Sequence, residues 1–213
     1  MKDYDYALEF YNKAIQIAPN YSDAYNGRGH IHYNQENYQQ SVEDYSKAIE
    51  FNPKAAFLYN NRSDAYICLK EYQKALEDSN KAIQLYPDGD PEFYCNSGLA
   101  YAGMNNNQQA IENYNKAIEL KPDYSLAYLH CGELYENLKE NDKAIEYLSK
   151  AIEIDPKLSR AYGLLGVIYY FDEVYDKAMA EFEKAVQFQP DYADAYYGIG
   201  LCFYKQKKLP KRH

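Results

Sequence analysis

The chain has 213 residues, a formal net charge of −9 and 46% hydrophobic residues. The acidity argues against a nucleic-acid or anionic-membrane surface, which needs net positive charge on one face. No apolar run approaches the roughly 18 residues of a membrane span, and the opening residues lack the charged-then-apolar layout of a secretory signal, so a cytoplasmic location is the expectation. Cys68, Cys95, Cys131 and Cys202 are far apart and share no metal-ligand spacing. They read as reduced, half-buried helix residues with no zinc site and no disulfide.

The first predicted element is a single helix over about residues 3–17, in a half unit 1–19. Ala7 and Ala14 share one face, and Lys13-Ala14-Ile15 leads to Pro19. The next unit, 22–53, carries Tyr25, Gly29 and His32 in its first half, then Ser41, Ala48 and Pro53. Unit 56–87 repeats the order with Tyr59, Ser63, Tyr66, Ala75, Ala82 and Pro87. Unit 91–122 follows an extra residue in the turn Asp88-Gly89-Asp90-Pro91, where an insertion costs least, and has Tyr94, Gly98, Tyr101, Ala110, Ala117 and Pro122. Unit 125–156 has Tyr128, Gly132, Tyr135, Ala144, Ala151 and Pro156, and unit 159–190 has Tyr162, Gly166, Tyr169, Ala178, Ala185 and Pro190. A last half unit, 193–206, brings Tyr196, Gly200 and Phe203, and a basic tail, 207–213, follows with Lys207, Lys208, Lys211 and Arg212. The tail reads as a solvated end.

Six prolines therefore recur at spacings of 34, 34, 35, 34 and 34 residues, a periodicity that means stacked supersecondary units. Tyrosine, small residue and ring at i, i+4 and i+7 fall on one helical face, as do the alanines at i and i+7. Each unit is thus two amphipathic helices of about 14 residues. Small residues let the backbones cross closely, and the proline ends the second helix because it has no N–H. Ser125 and Ser159 suit N-caps. Glu112 with Lys116 and Glu146 with Lys150 read as i,i+4 support pairs.

The pattern resembles the tetratricopeptide repeat over residues 1–206. Tyrosine stands for the family's usual tryptophan, and His32, Ser41 and Ser79 depart from it, which suggests looser packing in the first two repeats. The resemblance implies an all-α, right-handed superhelical solenoid of antiparallel helix pairs, about twelve helices in one domain. It also implies that first helices line a concave groove for a protein or peptide partner. The implied groove positions are Asn26, Gly27, His30, Tyr33 and Asn34, then Phe57, Asn60, Asn61, Asp64 and Ile67. Glu92, Cys95, Asn96 and Leu99 follow, then Leu126, Leu129, His130, Glu133 and Asn137. The last are Arg160, Leu164, Val167, Tyr170 and Phe171, with Tyr197, Leu201 and Tyr204. The N-terminal part is amide-rich, suited to gripping a peptide backbone, and the C-terminal part is apolar and aromatic, suited to anchoring a partner.

Some family members clamp the C-terminal carboxylate of heat-shock chaperones with Lys and Asn, Asn, and Lys and Arg on successive first helices. Asn61 matches the middle element. Asn26, His30, Glu92 and Asn96 stand where the flanking residues belong, so the charge-assisted bonds are missing and the clamp is not expected. A continuous asparagine ladder is interrupted at Gly27, His130, Leu164 and Gly198. No phosphate loop, nucleophile elbow or metal motif is present. The expected protein is a non-catalytic binding scaffold without a cofactor. An alternative rests on the half units: the last helix carries Ile199, Leu201, Cys202 and Phe203 without a second helix, so copies could join head to tail into homo-oligomers.

Overall fold

The structure is a computed structural model and describes residues 2–208. The expected tail residues Lys211 and Arg212 lie outside the described residues. Among the described residues there are twelve α-helices and no strand. They are α1 (Lys2–Ile17), α2 (Ser22–Asn34), α3 (Tyr38–Phe51), α4 (Ala56–Cys68), α5 (Tyr72–Leu85) and α6 (Pro91–Gly103). The others are α7 (Asn107–Leu120), α8 (Ser125–Asn137), α9 (Asn141–Ile154), α10 (Ser159–Phe171), α11 (Tyr175–Phe188) and α12 (Ala193–Lys208).

The sequence reading takes one array. Packing divides it into two compact units, residues 1–120 and 121–213. In the first unit α2, α4 and α6 lie on their own second helices α3, α5 and α7, and α1, α3 and α5 lie on the next first helices. In the second unit α8 and α10 pair with α9 and α11, while α9 lies on α10 and α11 on α12. First helices touch their neighbours within each unit, as α2 with α4, α4 with α6, α8 with α10 and α10 with α12. These seams position the candidate sites.

Close crossing explains the small residues. A methyl added at Gly98 would lie 2.5 Å from the ring of Tyr114, and one at Gly166 2.6 Å from that of Phe182. Tyr114 and Phe182 are both buried. The second repeat reaches the same fill with two intermediate residues, Ser63 and Ser79. Their hydroxyls donate to the Ala75 carbonyl at 2.9 and 3.0 Å, so neither is orphaned. Ser41 and Ser79 are 0% exposed. Burial of the cysteines is also sharper than expected: Cys95, Cys131 and Cys202 are buried and Cys68 is exposed, all four as free thiols.

The helix ends are held by a recurring device. Tyr25, Tyr59, Tyr128 and Tyr162 each donate a hydroxyl hydrogen bond at 3.2 Å to the carbonyl of Pro19, Pro53, Pro122 and Pro156. Tyr94 does the same to Pro87 at 3.0 Å. Ser125 and Ser159 are the first residues inside their helices, and the preceding Tyr124 and Leu158 make no side-chain cap, which corrects the N-cap expectation. The side-chain cap falls instead on Asp90, which accepts from the Glu92 N–H just ahead of Pro91.

Between the helices of each full repeat one residue adopts a left-handed conformation: Glu36, Lys70, Asn105, Lys139 and Glu173, with φ of 60–62°. The N–H of Lys139 bonds the Glu136 carbonyl and that of Glu140 bonds the Tyr135 carbonyl, both at 2.9 Å. That pairing is a Schellman ending, which satisfies the last helical carbonyls. Lys116 pairs with Glu119 and Lys150 with Glu153, three residues apart, and not with Glu112 and Glu146 as expected. They are exposed and worth little.

Candidate functional site

The seam of first helices has two characters. In the first unit it is polar. Asn61 donates to the Asn26 carbonyl oxygen at 2.9 Å across α4 and α2, and Asn96 donates to that of Asn60 at 2.9 Å across α6 and α4. Asn60 and Asn96 are 3% exposed. The expected free amides are thus bonded to one another, because the helices approach closely enough for amide to meet amide. Cys95 and Leu129, also expected in the groove, are buried too.

Beside this seam lies a cavity of about 350 Å³ lined by His30, Tyr33, Tyr45, Asn61, Asp64 and Glu92. Burial and the nearby Glu92 charge push the Asp64 carboxyl up to about 7. Burial and Asp90 raise that of Glu92. On the other side of the same helices, Arg28 bonds both oxygens of Asp44 at 2.9 and 2.6 Å. Arg62 does the same to Asp78 at 2.7 and 2.8 Å, in the fork geometry that suits guanidinium and carboxylate. These pairs tie a first helix to its own second helix, and sequence reasoning missed them. Their signal was an Arg and an Asp sixteen residues apart in both repeats.

In the second unit the seam between α10 and α12 is apolar. A cavity of about 370 Å³ brings together Leu164, Val167, Tyr170 and Phe171 of α10 with Tyr197 and Leu201 of α12. Its remaining lining includes Phe182 of α11, Tyr192 and Asp194, which the sequence reading did not name. Phe182 reaches in because Gly198 has no side chain: a methyl there would sit 2.5 Å from the ring. Tyr170 stands edge-on to Phe171, with ring centroids 5.5 Å apart. Phe171 is 72% exposed and Tyr197 70%, so both rings stand open to solvent. Tyr204 is exposed and lies outside this lining.

Elsewhere in the second unit, His130 Nδ1 lies 3.2 Å from a Glu133 oxygen, and Arg160 pairs with Glu133 from the next first helix. Of the self-association candidates, Ile199 packs partly buried against the cluster around Phe182, Leu201 is half-buried, and Phe203 is exposed. Cys202, expected to lie uncovered, is buried.

Tetratricopeptide-repeat family models match residues 1–21, 22–55, 56–88 and 101–168, and a TPR-repeat model matches 174–207. The chain is a tetratricopeptide-repeat protein. The helix-pair fold is shared with a tetratricopeptide repeat protein from Parabacteroides merdae ATCC 43184, 18% identical, covering 95% of this chain and 78% of that one with a TM-score of 0.82. YrrB, a TPR protein with an unusual peptide-binding site, is 23% identical over 93% of this chain and 98% of its own, with a TM-score of 0.57. MamA is 27% identical over 78% and 96%, with a TM-score of 0.61. No curated protein matches the sequence. Among the described residues, no tetratricopeptide helix is long and apolar enough to cross a membrane, and no group of three His, Cys, Asp or Glu is placed to hold a metal.

Proposed function

We propose that this tetratricopeptide-repeat protein is a non-catalytic scaffold that binds a segment of another protein along its first helices. An apolar side chain of that segment fills the cavity between α10 and α12. The observation that carries the reading is the convergence of six groove residues, Leu164, Val167, Tyr170, Phe171, Tyr197 and Leu201, on one cavity of about 370 Å³. Exposed rings held on rigid helices are the usual anchors of an interface, because they bury area at low entropic cost. YrrB, similar in fold, carries a peptide-binding site.

The test is selection of a displayed peptide library on the whole chain. Enrichment of peptides with a leucine, methionine or phenylalanine anchor is expected. Their affinity falls at least tenfold in Tyr197→Ala and Leu201→Asp, about the loss of a 1.4 kcal/mol contact or more. Selected peptides that bind both variants as tightly as the wild type would remove this cavity as the site.

A second reading, head-to-tail self-association, is favoured by Gly200. A methyl added there would meet nothing within 4 Å, whereas one at Gly29, Gly98, Gly132 or Gly166 would meet a large side chain of a second helix. Helix α1 has the register of a second helix, with Tyr11 in the place that Tyr45 and Tyr114 occupy. Sedimentation at rising concentration tests it. A mass that grows in the wild type and stays monomeric in Tyr11→Ala supports the reading, and a monomer throughout removes it.

A further inference from the structure

We infer that the cavity beside α2, α4 and α6 receives a cationic side chain of a protein segment, a lysine ammonium or an arginine guanidinium. The inference rests on the reading that the first helices engage a protein segment, and names the chemistry that segment presents to the first unit.

The argument begins with charge. The first unit supplies an arginine to each of two other well-buried acids, Asp44 through Arg28 and Asp78 through Arg62. Asp64 and Glu92 receive none: among the described residues neither is in an ion pair. Their neighbours are the neutral amides of Asn96 and Asn60, which each bond one carboxylate and supply no counter-charge. Both carboxylates line the same cavity, from adjacent first helices, and both are partly buried. A partly buried charge without a counter-charge is costly, and a cation in the cavity offsets that cost.

The walls fit an organic cation. Tyr33 and Tyr45 line the cavity, and an aromatic ring attracts an ammonium or guanidinium placed over its face. Asn61 gives its amide N–H to Asn26, leaving its carbonyl oxygen as a neutral acceptor at the same opening. His30 lies exposed at the edge. A metal ion is a poorer fit, since no third ligating side chain joins the two carboxylates. A volume of about 350 Å³ takes a long side chain with its charged end at Asp64 and Glu92.

The groups facing Asp64 are His30 and Tyr33 from α2, Tyr45 from α3 and Glu92 from α6. None of them supplies a fixed positive charge. The raised Asp64 pKa is the response expected of such a carboxylate, and a bound cation reverses it.

The experiment titrates the whole chain at pH 8 and low salt with N-acetyl-lysine amide and N-acetyl-arginine amide. The neutral isosteres, N-acetyl-norleucine amide and N-acetyl-citrulline amide, are run beside them, all followed by amide NMR. Saturable shifts at Asn61, Asp64 and Glu92 are expected with the cationic probes, and binding at least tenfold weaker with the neutral ones. The double variant Asp64→Asn, Glu92→Gln loses binding at least tenfold while its melting temperature does not fall. Equal binding of neutral and cationic probes, no saturation with either cation, or unchanged binding by the double variant would each overturn the inference. The apolar-anchored peptides are measured on the same samples. Retained peptide binding with no cation binding sinks only this inference, whereas loss of the Tyr197 and Leu201 effects sinks the groove reading itself.

Discussion

The same repeat positions carry opposite chemistry in the two units. Asn61 and Asn96, two residues past the tyrosine that starts the marked face, join first helices by amide pairs in the first unit. Leu164 holds the equivalent place in the second. Asp64 faces the first unit's cavity where Val167 faces the second's. The backbone frame is alike in both, since the glycine-to-ring crossings recur, as at Gly98 with Tyr114 and Gly166 with Phe182. What differs is how each seam meets the cost of closeness. Apolar side chains gain roughly 25 cal/mol per Å² buried. Buried amides and carboxylates must instead find partners, and gain little beyond avoiding an unsatisfied group. A repeat frame thus separates the crossing that holds the helices from the seam that selects a ligand.

The sharpest way to break the comparison is Phe182→Ala. The ring is 3% exposed and fills the crossings at Gly166 and Gly198, so about 3–5 kcal/mol should be lost. Hydrogen exchange should show the loss in α10, α11 and α12, with α2 to α5 protected as before. Uniform loss across both units would mean that they do not differ in local stability.

Next comes Asp64→Asn. The folded carboxyl holds its proton up to about pH 7, and its ordinary value is 3.8. Between those values the folded chain binds more protons than the unfolded one, so stability falls as pH rises through that window. The variant should remove this slope and be more stable than the wild type at pH 8, by on the order of 2–4 kcal/mol. Denaturant midpoints at pH 4.5 and pH 8 check it, and an identical slope in both proteins would show that Asp64 is not the group.

The amide pairs mark where the sequence was readable and where it was not. Prolines, tyrosines and alanines marked the helix pairs, because those marks report on crossings and breaks within a repeat. Whether Asn60 and Asn96 face a partner or each other depends on the gap between successive first helices, which no spacing along one helix contains. The left-handed turn residues were hidden for another reason. Glycine usually marks such turns, and here Glu36, Lys70, Asn105, Lys139 and Glu173 occupy them. Phe182 and Tyr192 entered the second cavity from outside the first helices, so a rule based on first-helix faces could not name them.

Arg62→Ala tests the polar frame of the first unit. It leaves Asp78, which is 6% exposed, without its bidentate partner and should cost about 2–3 kcal/mol. A double-mutant cycle with Asp78→Ala measures the coupling, and additive losses would show that the pair adds nothing. The smallest expected effect is a gain. Lys139→Gly relieves a left-handed residue at φ 62°, and should add about 0.5–1 kcal/mol to the second unit. A loss in thermal unfolding would mean that the Lys139 contact with Glu136 outweighs the strain relieved.

The hydroxyl of each repeat's tyrosine reaches a proline carbonyl only six or seven residues behind it. The bond therefore closes a loop that the chain makes as soon as those few residues have emerged, at a smaller cost in chain entropy than a long loop. The breaker that stops one helix thereby supplies the anchor that starts the next. Each joint is sealed by its own sequence, so an array of this kind can gain or lose a whole unit and still form every remaining joint.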